Sequence, residues 1–194
     1  MSDRIPFSSL LLAAQQGDEE AFAVIWRACQ PLLLRYLRVN AGGAADDIAA
    51  DAWLQVSRKL SSFEGGESEF RAWLFTIARN RHIDWRRRSS NRRETPVESE
   101  ILDLRSSPED PALSVETQMS TDRALALIAT LPPSQAEAVM LREVIGLSVA
   151  DVAKVMDRPA GTVRVLCHRG LRRLADVLQS RLETEALDAQ RVSG

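Results

Sequence analysis

Apolar side chains recur at helical spacing along most of this chain. In residues 18–39 they fall at Phe22, Ile25, Trp26, Cys29, Leu33, Tyr36 and Leu37, a stripe three and four residues apart that predicts one long amphipathic helix. A shorter apolar run at 9–16 predicts a helix before it, and Gly17-Asp18 separates the two. Residues 40–43 break the pattern. Ile48, Ala52, Leu54 and Val56, with Trp53 as the alternative to Leu54, then give the inward face of a helix over 45–60. A Gly/Ser/Glu-rich loop follows at 61–68. Phe70, Trp73, Leu74, Ile77 and Trp85 anchor a long helix over 69–88. Helical pattern returns over 116–130. A Leu-Pro-Pro-Ser turn with a cap at Ser134 leads into a further helix over 135–144. Alternating strand patterns are scarce, so the expected fold class is all-α.

The stretch 146–174 carries the densest information. Ser148 is placed to cap a short helix, with Asp151 three residues on as its capping-box partner. Val149, Val152, Ala153 and Met156 form that helix's inner face. Asp157-Arg158-Pro159 interrupts it, and Pro159 suits the first turn of a new helix. In that helix Val163, Leu166, Cys167, Gly170, Leu171 and Leu174 share one face. Thr162, Arg164, Val165, His168, Arg169, Arg172 and Arg173 lie largely on the other. Two short helices about a tight turn, the second cationic outside and apolar inside, match what the major groove of DNA accepts. A helical hairpin with a merely solvated basic face is the plainer alternative.

Composition sharpens the domain picture. The chain has 194 residues, 45% of them hydrophobic and 27% charged, too apolar for a disordered protein and long enough for one medium domain or two small ones. Residues 1–88 are expected to form a helical domain. Residues 89–115, rich in Ser, Arg and Glu and holding Pro96, Pro108 and Pro111, are expected to form a flexible linker. Residues 116–178 are expected to form a second domain ending in the helix-turn-helix, and 179–194 a polar, fraying tail. The net charge of -2 hides segregation: Arg79, Arg81, Arg86, Arg87, Arg88, Arg92 and Arg93 crowd one stretch with only Asp84 among them. A local field of this kind matters more than the net sum for binding a polyanion.

The two cysteines, Cys29 and Cys167, lie in apolar helical patterns without ligand spacing, which argues against a disulfide framework and a zinc site. Buried reduced thiols are expected, with a redox-sensing pair as the alternative. No apolar run reaches the roughly 18 residues of a membrane span. The first twenty residues turn acidic without a cleavage signature and read as mature protein. Together these features point to a cytoplasmic protein with no membrane insertion.

Taken together, DDIAADAWLQVSRKL, SFEGGESEFRAWLFTIARNRHIDWRRR and LPPSQAEAVMLREVIGLSVADVAKVMDRPAGTVRVLCHRGLRRL resemble the extracytoplasmic-function (ECF) class of bacterial sigma factors. The resemblance runs from about residue 18 to 178. It implies two helical domains, regions two and four, and promoter-specific initiation on core RNA polymerase. Region two would bind and help melt the minus-ten element, with Phe63, Asn80, Arg81, Asp84, Trp85, Arg86 and Arg87 as candidate contacts. The loop over 63–70 corresponds to the one that pockets a flipped base in the family. Core packing is the competing role for the aromatics, more so for Phe70 and Trp73 than for Phe63 and Trp85.

Region four would read the minus-thirty-five duplex through Arg158, Thr162, Arg164, Val165, His168 and Arg169. Val165 and Leu166 depart from the commoner serine and arginine, and Val165 offers a thymine methyl contact but no hydrogen bond. Asp46, Asp47, Asp51 and Gln55 correspond to the polymerase-docking stripe. The resemblance also implies an anti-sigma factor as partner. No histidine or further acid joins the aspartates at ligand spacing, and His82 and His168 have no nucleophile partner, so no cofactor, no metal and no enzymatic chemistry are expected. Two rivals remain at this level: a stand-alone helix-turn-helix regulator, and a metal-dependent nuclease built on Asp46, Asp47 and Asp51.

Overall fold

A computed structural model describes residues 5–92 and 115–192, and among these every regular element is helical. The first domain contains α1 (Phe7–Gln15), α2 (Glu19–Ala41), α3 (Ala45–Lys59) and α4 (Glu67–Arg92). The second contains α5 (Val115–Ala129), α6 (Pro133–Val139), α7 (Val149–Met156) and α8 (Ala160–Val192). Most of the expected linker, 93–114, lies outside the described residues.

Local chemistry explains the boundaries. Asp18 caps α2 by accepting a hydrogen bond from the Ala21 N–H at 3.0 Å, with Glu19 and Glu20 in the first turn facing the positive end of the helix. The Phe22, Ile25, Cys29, Leu33, Leu37 stripe of α2 then meets α3 and α4. Ile25, Leu33, Leu37, Val56, Phe70, Leu74 and Phe75 are fully buried. Burying one such side chain stabilises by about 1.5–3 kcal/mol, so this stripe dominates the domain's energetics. Trp53, rather than Leu54, is the inward member of its pair. The Trp53 indole N–H donates to Gln30 Oε1 at 2.6 Å and its ring receives Phe22 edge-on, while Leu54 stays 49% exposed. An indole is buried at low cost when its N–H finds a partner.

Several boundaries differ from the sequence expectation. The expected cap at Ser134 is not one: α6 begins at Pro133, whose missing N–H costs nothing in a first turn, with Pro132 as N-cap. The helix expected over 135–144 ends at Val139 and widens into a π-helical turn, Met140–Val144, before Gly146 adopts φ 80°. At the far end, α8 continues to Val192 where a fraying tail was expected. Good helix formers dominate that stretch, and the pair Gln179–Glu183 bonds along it at 3.2 Å. Likewise α4 runs four residues past the expected end at 88.

The two domains touch. Helix α7 lies against α4, and α5 and α6 lie against α2. At the junction one carboxylate oxygen, Glu137 Oε1, accepts from the Tyr36 hydroxyl at 2.9 Å and from Arg79 Nε at 2.8 Å. Ser68 also donates to Asp151 Oδ2 at 3.3 Å. The buried residues of both domains form one continuous apolar cluster.

Candidate nucleic-acid interface

The turn between α7 and α8 is built by caps. Ser148 Oγ accepts from the Asp151 N–H at 3.1 Å, the N-cap bond expected from the sequence, and its hydroxyl donates to Asp151 Oδ2 at 2.6 Å, so the carboxylate meets the cap through its side chain. That Ser148 bond, opposed by burial and aided by Lys154 and Ser68, holds the Asp151 carboxyl below its ordinary range. Asp157 ends α7 in the left-handed region at φ 51°, and its N–H reaches back to the Lys154 carbonyl. Pro159 precedes α8, its carbonyl accepting from the Val163 N–H at 3.1 Å.

Helix α8 is fixed by its inner face. Val163 is fully buried, and the Cys167 thiol bonds the Ala138 carbonyl at 3.5 Å. A Cβ added at Gly170 would stand 2.7 Å from Val139 Cγ2, so a glycine is what lets α8 approach α6. The opposite side carries the predicted readers. Arg158, Thr162, Arg164, Val165, His168 and Arg169 are all exposed, joined by Arg172 and Arg173. Leu171, sorted with the inner face by its spacing, is 43% exposed.

In the first domain, the aromatic cluster resolves into two roles. Phe70 is fully buried, with Phe7 and Phe63 both against it at 5.5 and 5.7 Å. Phe63 is half-buried and stacks on Trp73 with centroids 4.9 Å apart and planes 29° apart. Phe63 therefore opens the loop on an aromatic platform, with Gly65 at φ 142° and the Gly66 N–H bonded to Glu69 Oε2 behind it. Stacking of this kind accepts any base face. Trp85 is half-buried against the core.

Along α4, Asn80, Asp84, Arg86 and Arg87 are exposed, and Arg86 and Arg87 line a surface depression with Ile83 and Ser90. Arg81 instead turns toward α3 and grips Gln55 Oε1 through Nε at 2.9 Å. The structure thus joins two residues assigned to different surfaces, one to DNA and one to polymerase. Asp46, Asp47 and Asp51 remain exposed on α3, two of them in its first turn. Among the described residues no group of three or more His, Cys, Asp or Glu is placed to hold a metal ion. None of the described helices is long and apolar enough to cross a membrane.

Burial shapes the remaining titratable groups. His82 sits inside with Nε2 lacking a partner, and burial, reinforced by Arg86 and Arg79, lowers its pKa to about 4. Burial pushes the Cys29 thiol up to about 11 and raises Cys167 too, so both thiols stay protonated and inert at neutral pH. Three participants escaped sequence reading. Gln15, on a helix with no charged residue, contacts the Phe63 loop. Arg79 sat inside an arginine-rich stretch without distinction. Glu137 is the lone acid in an apolar run, which was its only sequence signal.

Comparison with known proteins covers both domains. Residues 25–92 match the family described as sigma-70 region 2, and 121–174 that described as sigma-70, region 4. The chain is similar to the ECF RNA polymerase sigma factor BldN of Streptomyces coelicolor, with 34% identity over 91% of this chain and 67% of that one. It is also similar to the ECF RNA polymerase sigma-E factor of Escherichia coli, with 32% identity over 84% of this chain and 90% of that one. Among solved structures, the sigma factor RpoE in complex with the anti-sigma factor NepR from Bartonella quintana shares the fold. That match has a TM-score of 0.64 and 23% identity over 81% of this chain and 96% of the other.

Proposed function

The chain belongs to the ECF sigma factors, promoter-directing subunits of bacterial RNA polymerase, and on that premise we propose how its surfaces divide the work. Helix α8 enters the major groove of the minus-thirty-five duplex. Arg164 and Arg169 contact bases or phosphates there, with Arg158, Thr162, Val165 and His168 around them. The Phe63 platform captures an unstacked base of the minus-ten element, while Asn80, Asp84, Trp85, Arg86 and Arg87 track the opened strand. Asp46, Asp47 and Asp51 on α3 dock against basic groups of core polymerase. Gln55 acts by holding Arg81. Binding and positioning make up the whole contribution, with no bond made or broken by this chain, and its place of work is the cytoplasm.

The observation that carries this reading is the sorting of α8: five predicted readers, Thr162, Arg164, Val165, His168 and Arg169, exposed on one side, and Val163, Cys167 and Gly170 packed on the other. Core polymerase would hold the two domains at the spacing of the two elements, so two modest contacts act at high effective concentration. The relative from Bartonella quintana is described in complex with an anti-sigma factor, and a proteinaceous inhibitor of the same kind is proposed for this chain.

Run-off transcription with purified core polymerase tests the reading. Discrete start sites that depend on this protein are expected. No such transcripts, together with no binding to core, would overturn it.

A further inference from the structure

We propose that Arg79 has two mutually exclusive partners: the Glu137 carboxylate while the domains are closed on one another, and a DNA phosphate once they part. Glu137 then occupies, in the closed protein, the place of a phosphate. This rests on the sigma-factor reading of α4 and adds to it a DNA-contacting residue and a means of holding that residue in reserve.

Position on the helix supplies the first argument. Arg79 precedes Arg86 by seven residues, two helical turns, so both project from one side of α4 with Ile83 between them. That side continues into the depression lined by Ile83, Arg86, Arg87 and Ser90. Freed, Arg79 would extend the same cationic track toward the base-capture loop.

The chemistry of the contact supplies the second. A guanidinium presents the same fork to a carboxylate and to a phosphate. The Glu137 side chain is only 15% exposed and that of Arg79 19%. A carboxylate so far out of water needs its counter-charge, and the Tyr36 hydroxyl, itself wholly buried, completes the site on the same oxygen. The three groups come from α6, α4 and α2 and, with the apolar cluster shared by both domains, hold the domains together.

Geometry makes the two states exclusive. Their positions, minus thirty-five and minus ten, put the two promoter elements about 25 base pairs apart, or about 85 Å at roughly 34 Å per turn of about ten base pairs. Domains joined through Tyr36, Arg79, Glu137, Ser68 and Asp151 cannot engage both elements. Opening returns Glu137 to water, so the polar contact resists only modestly. A polyanion that takes over Arg79 and releases counterions drives the exchange.

Two measurements on the free full-length chain test this: its radius of gyration by small-angle X-ray scattering, and its affinity for a fluorescein-labelled duplex of roughly 30 base pairs with a single-stranded tail. Glu137→Gln and Arg79→Gln should both expand the protein. Only Glu137→Gln should bind the probe tighter, by about three- to tenfold, because it opens the chain and keeps the cation. Arg79→Gln should bind no tighter than wild type. The charge-swapped pair Arg79→Glu with Glu137→Arg should be compact again and bind more weakly than wild type, which also shows that the substituted chain folds. If Glu137→Gln leaves the radius unchanged, if both single variants gain affinity alike, or if the swapped pair stays expanded, the proposal is overturned. Run-off transcription by the wild-type protein separates this from the functional reading: its failure would remove the promoter role, whereas the scattering results bear on the contact alone.

Discussion

Gln15 reaches from the end of α1 to the backbone that presents Phe63: its side-chain amide donates to the Phe63 carbonyl at 2.7 Å and to the Leu60 carbonyl at 3.1 Å. These bonds close the turn between α3 and the loop from a helix that lies outside the matched region 25–92. Removing them should loosen the aromatic platform without unfolding the domain. Gln15→Ala should weaken holoenzyme binding to a single-stranded minus-ten oligonucleotide by about fivefold, as two hydrogen bonds of ordinary strength are lost. Binding to core polymerase and to minus-thirty-five duplex should be unchanged. Fluorescence anisotropy with the two probes separates these effects, and equal loss on both would assign Gln15 a general structural role.

On the other proposed DNA surface, Arg164 is exposed at the outer side of α8. Arg164→Ala should cost about 1–3 kcal/mol of promoter binding and lower run-off transcription by tenfold or more. Core binding should be intact, because Arg164 is exposed and lies outside the packed inner face of α8. Promoter output equal to wild type would remove Arg164 from the contact set.

Asp51 faces solvent on α3. Asp51→Ala should slow association with core polymerase and weaken it by about three- to tenfold, with the deficit shrinking as salt is raised. Surface plasmon resonance at two ionic strengths measures both. Identical kinetics for mutant and wild type would place the docking surface elsewhere.

His82 makes the fold sensitive to mild acid. Its folded pKa is lowered to about 4, against an ordinary 6.5, chiefly because burial disfavours the charged ring. Above pH 6.5 the ring is neutral in both states and contributes no pH dependence. Between 6.5 and 4 the unfolded chain takes up a proton that the folded one refuses, so stability falls with falling pH. The slope reaches up to about 1.4 kcal/mol per pH unit. Urea titrations of wild type and His82→Leu across that window should differ by this slope, and parallel curves would show that His82 is not the sensor.

Two backbone positions in the helix-turn-helix predict opposite changes. Asp157 holds φ 51° without being glycine, so Asp157→Gly should stabilise by about 0.5–1 kcal/mol. Gly170→Val would drive a side chain into Val139 and Leu131, and should destabilise by about 2 kcal/mol or more. Thermal melts of both variants read the signs directly.

Much of this architecture was legible from periodicity. The stripe in α2, the aromatic anchors of α4 and the Ser148–Asp151 cap all follow from spacing and side-chain type. The choice between Trp53 and Leu54 did not, because both satisfy the spacing and only the distant Gln30 decides between them. The π-helical turn at Met140–Val144 has no composition signal, since its residues are ordinary helix formers. Long-range polar pairs were the least legible. Arg79 and Glu137 are 58 residues apart, Tyr36 and Glu137 are 101 apart, and local pattern carries no trace of either bond. The exposure of the α8 readers was legible, whereas the capture of Arg81 by Gln55 was not, for the same reason.

Helix α8 does not stop where the helix-turn-helix would end. Its 33 residues make a single rod of about 50 Å. A reading head mounted on so long a shaft has an orientation that can be observed from far away. A probe attached at exposed Gln179, on the same shaft as Arg164 but four turns removed, would turn with the reading face while touching nothing that reads. The far half of α8 thus serves as a pointer, making the angle at which the proposed reading face meets DNA accessible to spectroscopy.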